Sequence, residues 1–300
     1  MTGVTVRQVL LDTARALGSA AEARWVVEHA LGPGTNAVVA ARDTEPMDAA
    51  ATAVVEDIVR RRRAGEPLQY LLGTWAFRQL ELAVDPRVLI PRPETEVVTG
   101  HALDELARAA TEVPTGVPVV AVDLGTGSGA IALSLAVEAA SRLSGRSLEV
   151  WGVDRSADAL AVAAGNARAM RRQHPAAGDV SLARGDWFDA LPATLAGTVT
   201  LAVANPPYVA EAEWEGLDVE VRHEPRQALV SGPTGTEDLD RIVEAAPRWL
   251  APWGVLVVEL APQQAQDVAL RALVSGFDGV VVRSDLAGRP RAVVARRWNL

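Results

Sequence analysis

Val117–Ala136 reads VPVVAVDLGTGSGAIALSLA, and the fold turns on how its middle is understood. VPVVAVD is a short β-branched run of the kind that forms a strand, and AIALSLA opens the helix that follows. Between them Gly125, Gly127 and Gly129 let the backbone turn sharply and approach a ligand closely. The first turn of the helix presents free N–H groups to that ligand. A nucleotide-like molecule is therefore expected at this turn. The spacing is G-x-G-x-G, not the G-x-G-x-x-G of dinucleotide binders, and no lysine follows as a phosphate-binding P-loop requires.

Downstream, SLEVWGVD, VSLARGD, VTLAVAN, GVLVVEL and GVVVRSD alternate with helical runs, and RAVVARRW closes the chain. That alternation predicts a mostly parallel sheet wrapped by helices on both faces. Long loops are expected only at Ala193–Val199 and after Tyr208. Upstream, WAFRQLELAVDPRVLIPRP alternates apolar and polar residues and carries several prolines, as a short hairpin between two domains would. Before it, VRQVLLDTARALG and AAEARWVVEHALG have the three- and four-residue apolar spacing of helices, with Gly18, Gly32 and Gly34 at their ends. A third helix is predicted from about Asp48 to Arg63, stopped by Gly65 and Pro67. The expected division is a helical domain over 1–73, a hairpin connector over 74–96 and an α/β domain over 97–300.

The bulk numbers exclude several function classes. Apolar residues are 49% of the 300 and charged residues 22%, an ordinary globular composition with enough apolar material for a core. Without cysteine there is no disulfide frame and no thiolate zinc site. His29, His101, His174 and His223 are scattered singly, so no metal is expected. MTGVTVRQVLLD lacks a basic n-region before an apolar h-region, and no apolar run approaches membrane-span length. A cytoplasmic protein without membrane partners is expected. The net charge of −9 argues against direct nucleic-acid binding, because affinity for that backbone comes from Lys and Arg neutralising phosphates. Arg60–Arg63 reads as the dipole-favoured end of a helix, with a docking patch for RNA or an acidic partner as the alternative.

Chemistry-bearing residues recur at the predicted strand ends. VWGVD ends in Asp154, at the distance downstream of the glycine loop where a carboxylate reaches ribose hydroxyls. Ser156 is the better candidate to cap the helix that follows. In GDWF, Asp186 is placed to accept from an exocyclic amine and Trp187 to lie beside an adenine ring. The fourth strand ends in NPPY, Asn205–Tyr208. Together DLGTGSG, Asp154, GDWF and NPPY resemble a class I S-adenosylmethionine-dependent methyltransferase: a Rossmann-like, mostly parallel sheet with a final antiparallel strand, here preceded by a small helical domain.

More narrowly, the chain resembles the protein-(glutamine-N5) methyltransferases of the HemK/PrmC release-factor family. The resemblance includes GEPLQYLLGTWAF (Gly65–Phe77), VDPRVLIPRPETE (Val84–Glu96), the NPPY box and EPRQALVSGPTG (Glu224–Gly235). It departs at His223, where the family usually has tyrosine, and in VELAPQQ, which lacks a glycine after the glutamate. The resemblance implies S-adenosyl-L-methionine as cofactor, a peptide chain release factor as protein partner, and a glutamine as acceptor. It implies cofactor contacts from Asp123, Gly125, Thr126, Gly127, Gly129, Asp154, Asp186, Trp187 and Asn205. The acceptor glutamine falls to Asn205, Pro206, Pro207 and Tyr208.

A carboxamide nitrogen is a weak nucleophile because its lone pair is delocalised. Acceptance of its two N–H bonds by the Asn205 side-chain oxygen and the Pro206 carbonyl would fix it in line with an activated methyl. Proline's locked φ leaves that carbonyl little freedom, and Tyr208 would cover the acceptor side chain. The same box would present an adenine or cytosine amine of a nucleic acid. A ribosomal-protein glutamine, or a cofactor-binding assembly factor without turnover, are the other readings. Arg92, Glu94 and Glu96 either line the mouth of the site or form a solvated loop.

Overall fold

The computed structural model describes residues 4–32 and 44–298. Gly34 lies outside them. The chain forms two compact units: residues 1–74 with 218–223, and residues 75–217 with 224–300.

The first unit is helical: α1 (Val6–Leu17), α2 (Ala20–Leu31), α3 (Ala49–Arg63) and the short α4 (Leu68–Leu72). Thr5, Ser19 and Asp48 each accept a backbone N–H at the helix starts, satisfying donors that a helix end otherwise leaves orphaned. Val6, Val26, Val55, Ile58 and Leu68 share the core. The arginine cluster forms the last turn of α3 and is largely neutralised within the unit. Arg60 pairs with Asp57, Arg61 with Glu66, and Arg62 with Glu22 and Glu220. These pairs favour the helix-end reading of the cluster.

Near the start of the second unit, β1 (Thr74–Phe77) and β2 (Leu80–Ala83) form a two-stranded hairpin. The hairpin is shorter than the expected connector, because PETE enters a helix, α5 (Pro93–Ala110). Pro93 stands in the first turn, where its missing N–H costs nothing, and Glu94 and Glu96 complement the positive end of the dipole. The sheet that follows holds β3 (Val119–Leu124), β4 (Leu148–Asp154), β5 (Val180–Arg184), β6 (Val199–Ala204), β7 (Leu250–Glu259), β8 (Gly279–Ser284) and β9 (Pro290–Arg296). Their order is β5-β4-β3-β6-β7-β9-β8. The first five are mutually parallel, and β9 runs antiparallel to both neighbours. This is the class I methyltransferase architecture anticipated above.

The helices of this unit are α5, α6 (Ala130–Glu138), α7 (Ala157–Gln173), α8 (Glu237–Trp249) and α9 (Ala265–Val274). Because strand side chains alternate, the sheet feeds two separate cores. Val119, Ala121, Leu201, Val203, Val255 and Val257 pack with residues of α5 and α6. Val122, Ala202, Ala204, Leu256 and Val258 pack with residues of α8 and α9. Among the described residues no helix is long and apolar enough to cross a membrane.

Candidate active site

A cleft of about 640 Å³ opens over the carboxyl ends of β3, β4 and β6, where an open α/β sheet takes its ligands. Of the residues singled out in the sequence, Gly125, Gly127, Asp154, Asp186, Trp187, Asn205 and Pro207 line it. Asp123, Thr126, Gly129, Pro206 and Tyr208 do not.

Register explains the position of Asp123. It pairs with Val203, which pairs with Val257, so it lies in an apolar layer beneath the strand tips. Its Oδ2 accepts from Thr126 Oγ1 at 2.6 Å and from Ala132 N at 3.1 Å. The pair thereby ties the glycine loop to the start of α6. Burial pushes the Asp123 carboxyl up to about 7; the Thr126 and Ala132 bonds oppose that, and the charge of Asp154 adds to it.

The loop itself is held by backbone. Gly125 and Thr126 both donate to the Val153 carbonyl at 2.8 Å, and Gly125 adopts φ +77°. A Cβ on Gly125 would stand 3.1 Å from the Trp187 ring, whereas one on Gly127 would meet nothing within 4 Å. Asp154 Oδ2 accepts from Gly127 N and Oδ1 from Ser156 N, each at 2.9 Å. Each oxygen retains capacity for one more donor. Burial raises the Asp154 carboxyl, against those two N–H groups. Ser156 caps α7 by accepting from Ala159 N.

Trp187 holds a left-handed backbone at φ +49°, uncommon for a bulky residue. Its indole N–H donates to Asp238 at 3.2 Å, which leaves the ring beside Gly125. Asp186 is ion-paired to Arg241 at 2.5 Å, so one of its oxygens is already engaged.

On the other side of the cleft, Asn205 Nδ2 donates to Thr95 Oγ1 of α5 at 3.1 Å. Among the described residues nothing donates to Asn205 Oδ1 or to the Pro206 carbonyl. The backbone around the box is clamped: Tyr208 N donates to Leu229 O at 3.2 Å, and Gln264 Nε2 donates to Tyr208 O at 3.1 Å and Gly235 O at 3.0 Å. Gly235, at φ +79°, approaches so closely that a Cβ would lie 2.7 Å from the Tyr208 carbonyl. Burial raises the Tyr208 phenol, and the charge of Glu259 adds to it.

Two of the quoted motifs supply lining residues that were not singled out: Arg87, Val88 and Leu89 from VDPRVLIPRPETE, and Pro225, Gln227 and Ala228 from EPRQALVSGPTG. Buried Glu224 joins the two, accepting from Ile90 N at 2.9 Å and pairing with Arg92. Glu94 faces Arg289 at 3.2 Å. Arg92 and Glu94 therefore serve ion pairs beside the cleft and do not line it. Among the described residues no cluster of three acidic or histidine side chains is placed to hold a metal.

Residues 9–73 match the family model of the PrmC N-terminal domain, and residues 118–273 match a methyltransferase domain. A release factor glutamine methyltransferase of Bordetella pertussis is 41% identical over 273 residues, covering 90% of this chain and 92% of its own. One from Streptomyces coelicolor is 42% identical over 243 residues, covering 80% and 79%. Among solved structures, the catalytic domain of hMettl16 in complex with MAT2A 3'UTR hairpin 1 has a TM-score of 0.51 at 14% identity, covering 83% of this chain and 80% of that chain. That last likeness is one of fold.

Proposed function

The chain belongs to the release factor glutamine methyltransferases, and from that premise we propose that it methylates the side-chain nitrogen of a glutamine in the Gly-Gly-Gln loop of a peptide chain release factor, with S-adenosylmethionine as donor. Bound in the cleft, S-adenosylmethionine supplies a methyl group activated by its sulfonium sulfur. Gly127 leaves room on the cleft side, and Asp154 offers two partly used carboxylate oxygens to vicinal hydroxyls. Trp187 offers a ring fixed by its bond to Asp238. Asp123 and Thr126 act beneath, holding the loop in shape.

The observation that carries the acceptor reading is the state of Asn205. One N–H of its amide goes to Thr95, while its oxygen and the neighbouring Pro206 carbonyl have no donor of their own among the described residues. A primary amide brings two N–H donors, which these two acceptors match. Gripped so, the acceptor nitrogen is oriented before reaction, and acceptors already in place favour the positive charge it gains. A protein acceptor also suits the net charge of −9 and the ion-paired arginines of α3 better than a phosphate backbone does. This substrate implies action in the cytoplasm.

The test is methyl transfer from labelled cofactor to a purified release factor, with mass spectrometry locating the methyl. Label on the Gly-Gly-Gln glutamine is the expected result. Label appearing only on a nucleic acid, or on a ribosomal protein, would overturn the assignment.

A further inference from the structure

Behind Asn205 lies a buried polar chain that the acceptor reading leaves unexplained. Ala204 of β6 is in register with Val258 of β7, so one residue further Asn205 and Glu259 stand side by side at the strand tips. Both follow the alternation of Val203 and Val257 toward the face covered by α5. The first turn of α5 brings Thr95 to the same place. Thr95 is 4% exposed and Glu259 1%. The Thr95 hydroxyl accepts from Asn205 Nδ2 at 3.1 Å and, as a hydrogen-bonding neighbour, pulls the Glu259 carboxyl down, while Glu259 Oε2 has no partner.

A hydroxyl has one proton to give. While Glu259 is ionised it only accepts, so it takes the Thr95 proton. Thr95 Oγ1 must then accept from Asn205, which turns the Asn205 NH₂ inward and its Oδ1 toward the cleft. We propose that Glu259, acting through Thr95, is the positioning residue that decides which end of the Asn205 amide meets the acceptor. The proposal rests on the reading that Asn205 Oδ1 receives an N–H of the substrate glutamine.

Protonation reverses the logic. A neutral Glu259 donates to Thr95, the freed hydroxyl proton goes to Asn205 Oδ1, and the amide turns its NH₂ to the cleft, where a donor meets a donor. The charged and titratable groups around Glu259 are Arg92 and Glu94 at the start of α5, Arg291 of β9 and the Tyr208 phenol. Burial outweighs the Thr95 bond and the two guanidinium charges, so the carboxyl is pushed up to about 7. Turnover is therefore expected to fall with pH below about 7.

The experiment compares Thr95→Val, Thr95→Ser and Glu259→Gln in the full chain, with kcat on a release factor, cofactor Kd by calorimetry, and the pH profile of kcat. Thr95→Val is expected to lower kcat by about 10- to 100-fold, as loss of a preorganised polar group does. Thr95→Ser restores most of that rate, and all three variants bind cofactor within a few-fold of wild type. Glu259→Gln turns over more slowly and loses the fall below about pH 7. Should Thr95→Val fail to fold, Glu259→Gln decides through its pH profile. Equal rates for Thr95→Val and Thr95→Ser, or a wild-type pH limb in Glu259→Gln, overturn the proposal while the wild type still methylates glutamine. A wild type that transfers nothing to glutamine overturns the acceptor reading, and the proposal with it.

Discussion

The two sides of the cleft are built from different materials. At the tips of β3 and β4 the shape is made by backbone: a glycine loop donating to the Val153 carbonyl and a carboxylate accepting main-chain N–H groups. At the tip of β6 it depends on side chains: Asn205 lines the cleft, and Thr95 and Glu259, from elements far apart in the chain, stand buried behind it. The backbone donors of that loop do not titrate, and the sensitivity of this side to side-chain change is concentrated in its glycines and in Asp154. A side-chain relay depends on every member and on the charge state of its buried end. The difference teaches that donor binding and acceptor alignment in this protein are separable, and mutations should divide accordingly.

The largest effect is expected from Asn205→Ala, which should lower kcat by ~10²-fold or more by removing one preorganised acceptor. Cofactor affinity measured by calorimetry should stay within a few-fold. If binding collapsed together with turnover, the separation of the two sides would be broken.

Asp154→Ala sharpens the comparison from the other side. Losing a charged hydrogen-bonding group typically costs about 1.5 to 3 kcal/mol, so cofactor Kd should rise by roughly 10- to 100-fold, with kcat at saturating cofactor changed much less. Equilibrium binding and saturation kinetics on one preparation distinguish the outcomes.

Gly125→Ala should act in the same direction by a smaller amount, about tenfold in Kd. The new Cβ meets Trp187 at 3.1 Å and sits on a backbone at φ +77°, a left-handed conformation that disfavours any side chain. Trp187 fluorescence should report the displaced ring.

The smallest expected effect is on stability. Asp123 keeps its proton up to about pH 7 in the folded chain and releases it near its ordinary value of 3.8 when unfolded. The folded state thus binds more protons between those values, and this group's contribution to stability is lost as pH rises from about 4 to 7. Asp123→Asn should flatten that part of the melting-temperature profile. An unchanged slope would mean that the loop beneath the glycines is more open to water than its packing implies.

Much of this arrangement is legible in the amino-acid sequence. The seven strands fall on the β-branched runs, Ser156 caps the helix after Asp154, and NPPY lies at a strand tip beside the glycine loop. These features follow from local rules: strand propensity, capping chemistry and the conformational demands of glycine and proline. Thr95 and Glu259 were not picked out. Thr95 is the third residue of PETE, flanked by two glutamates, and Glu259 is a single acid at the end of an apolar strand. Arg92 and Glu94 shared the same stretch, and their ion pairs with Glu224 and Arg289 are tertiary facts.

By itself the amino-acid order determined the sheet, its glycine loop, the strand-tip acid and the Asn-Pro-Pro-Tyr box, because each is encoded within a dozen residues by backbone preference. Only the tertiary structure decided which strand-end residues face the cleft and which lie a layer below. It also decided which buried carboxyl stands behind Asn205. Those outcomes depend on strand register and on where α5 begins, and both are settled by packing between segments roughly 50 to 110 residues apart.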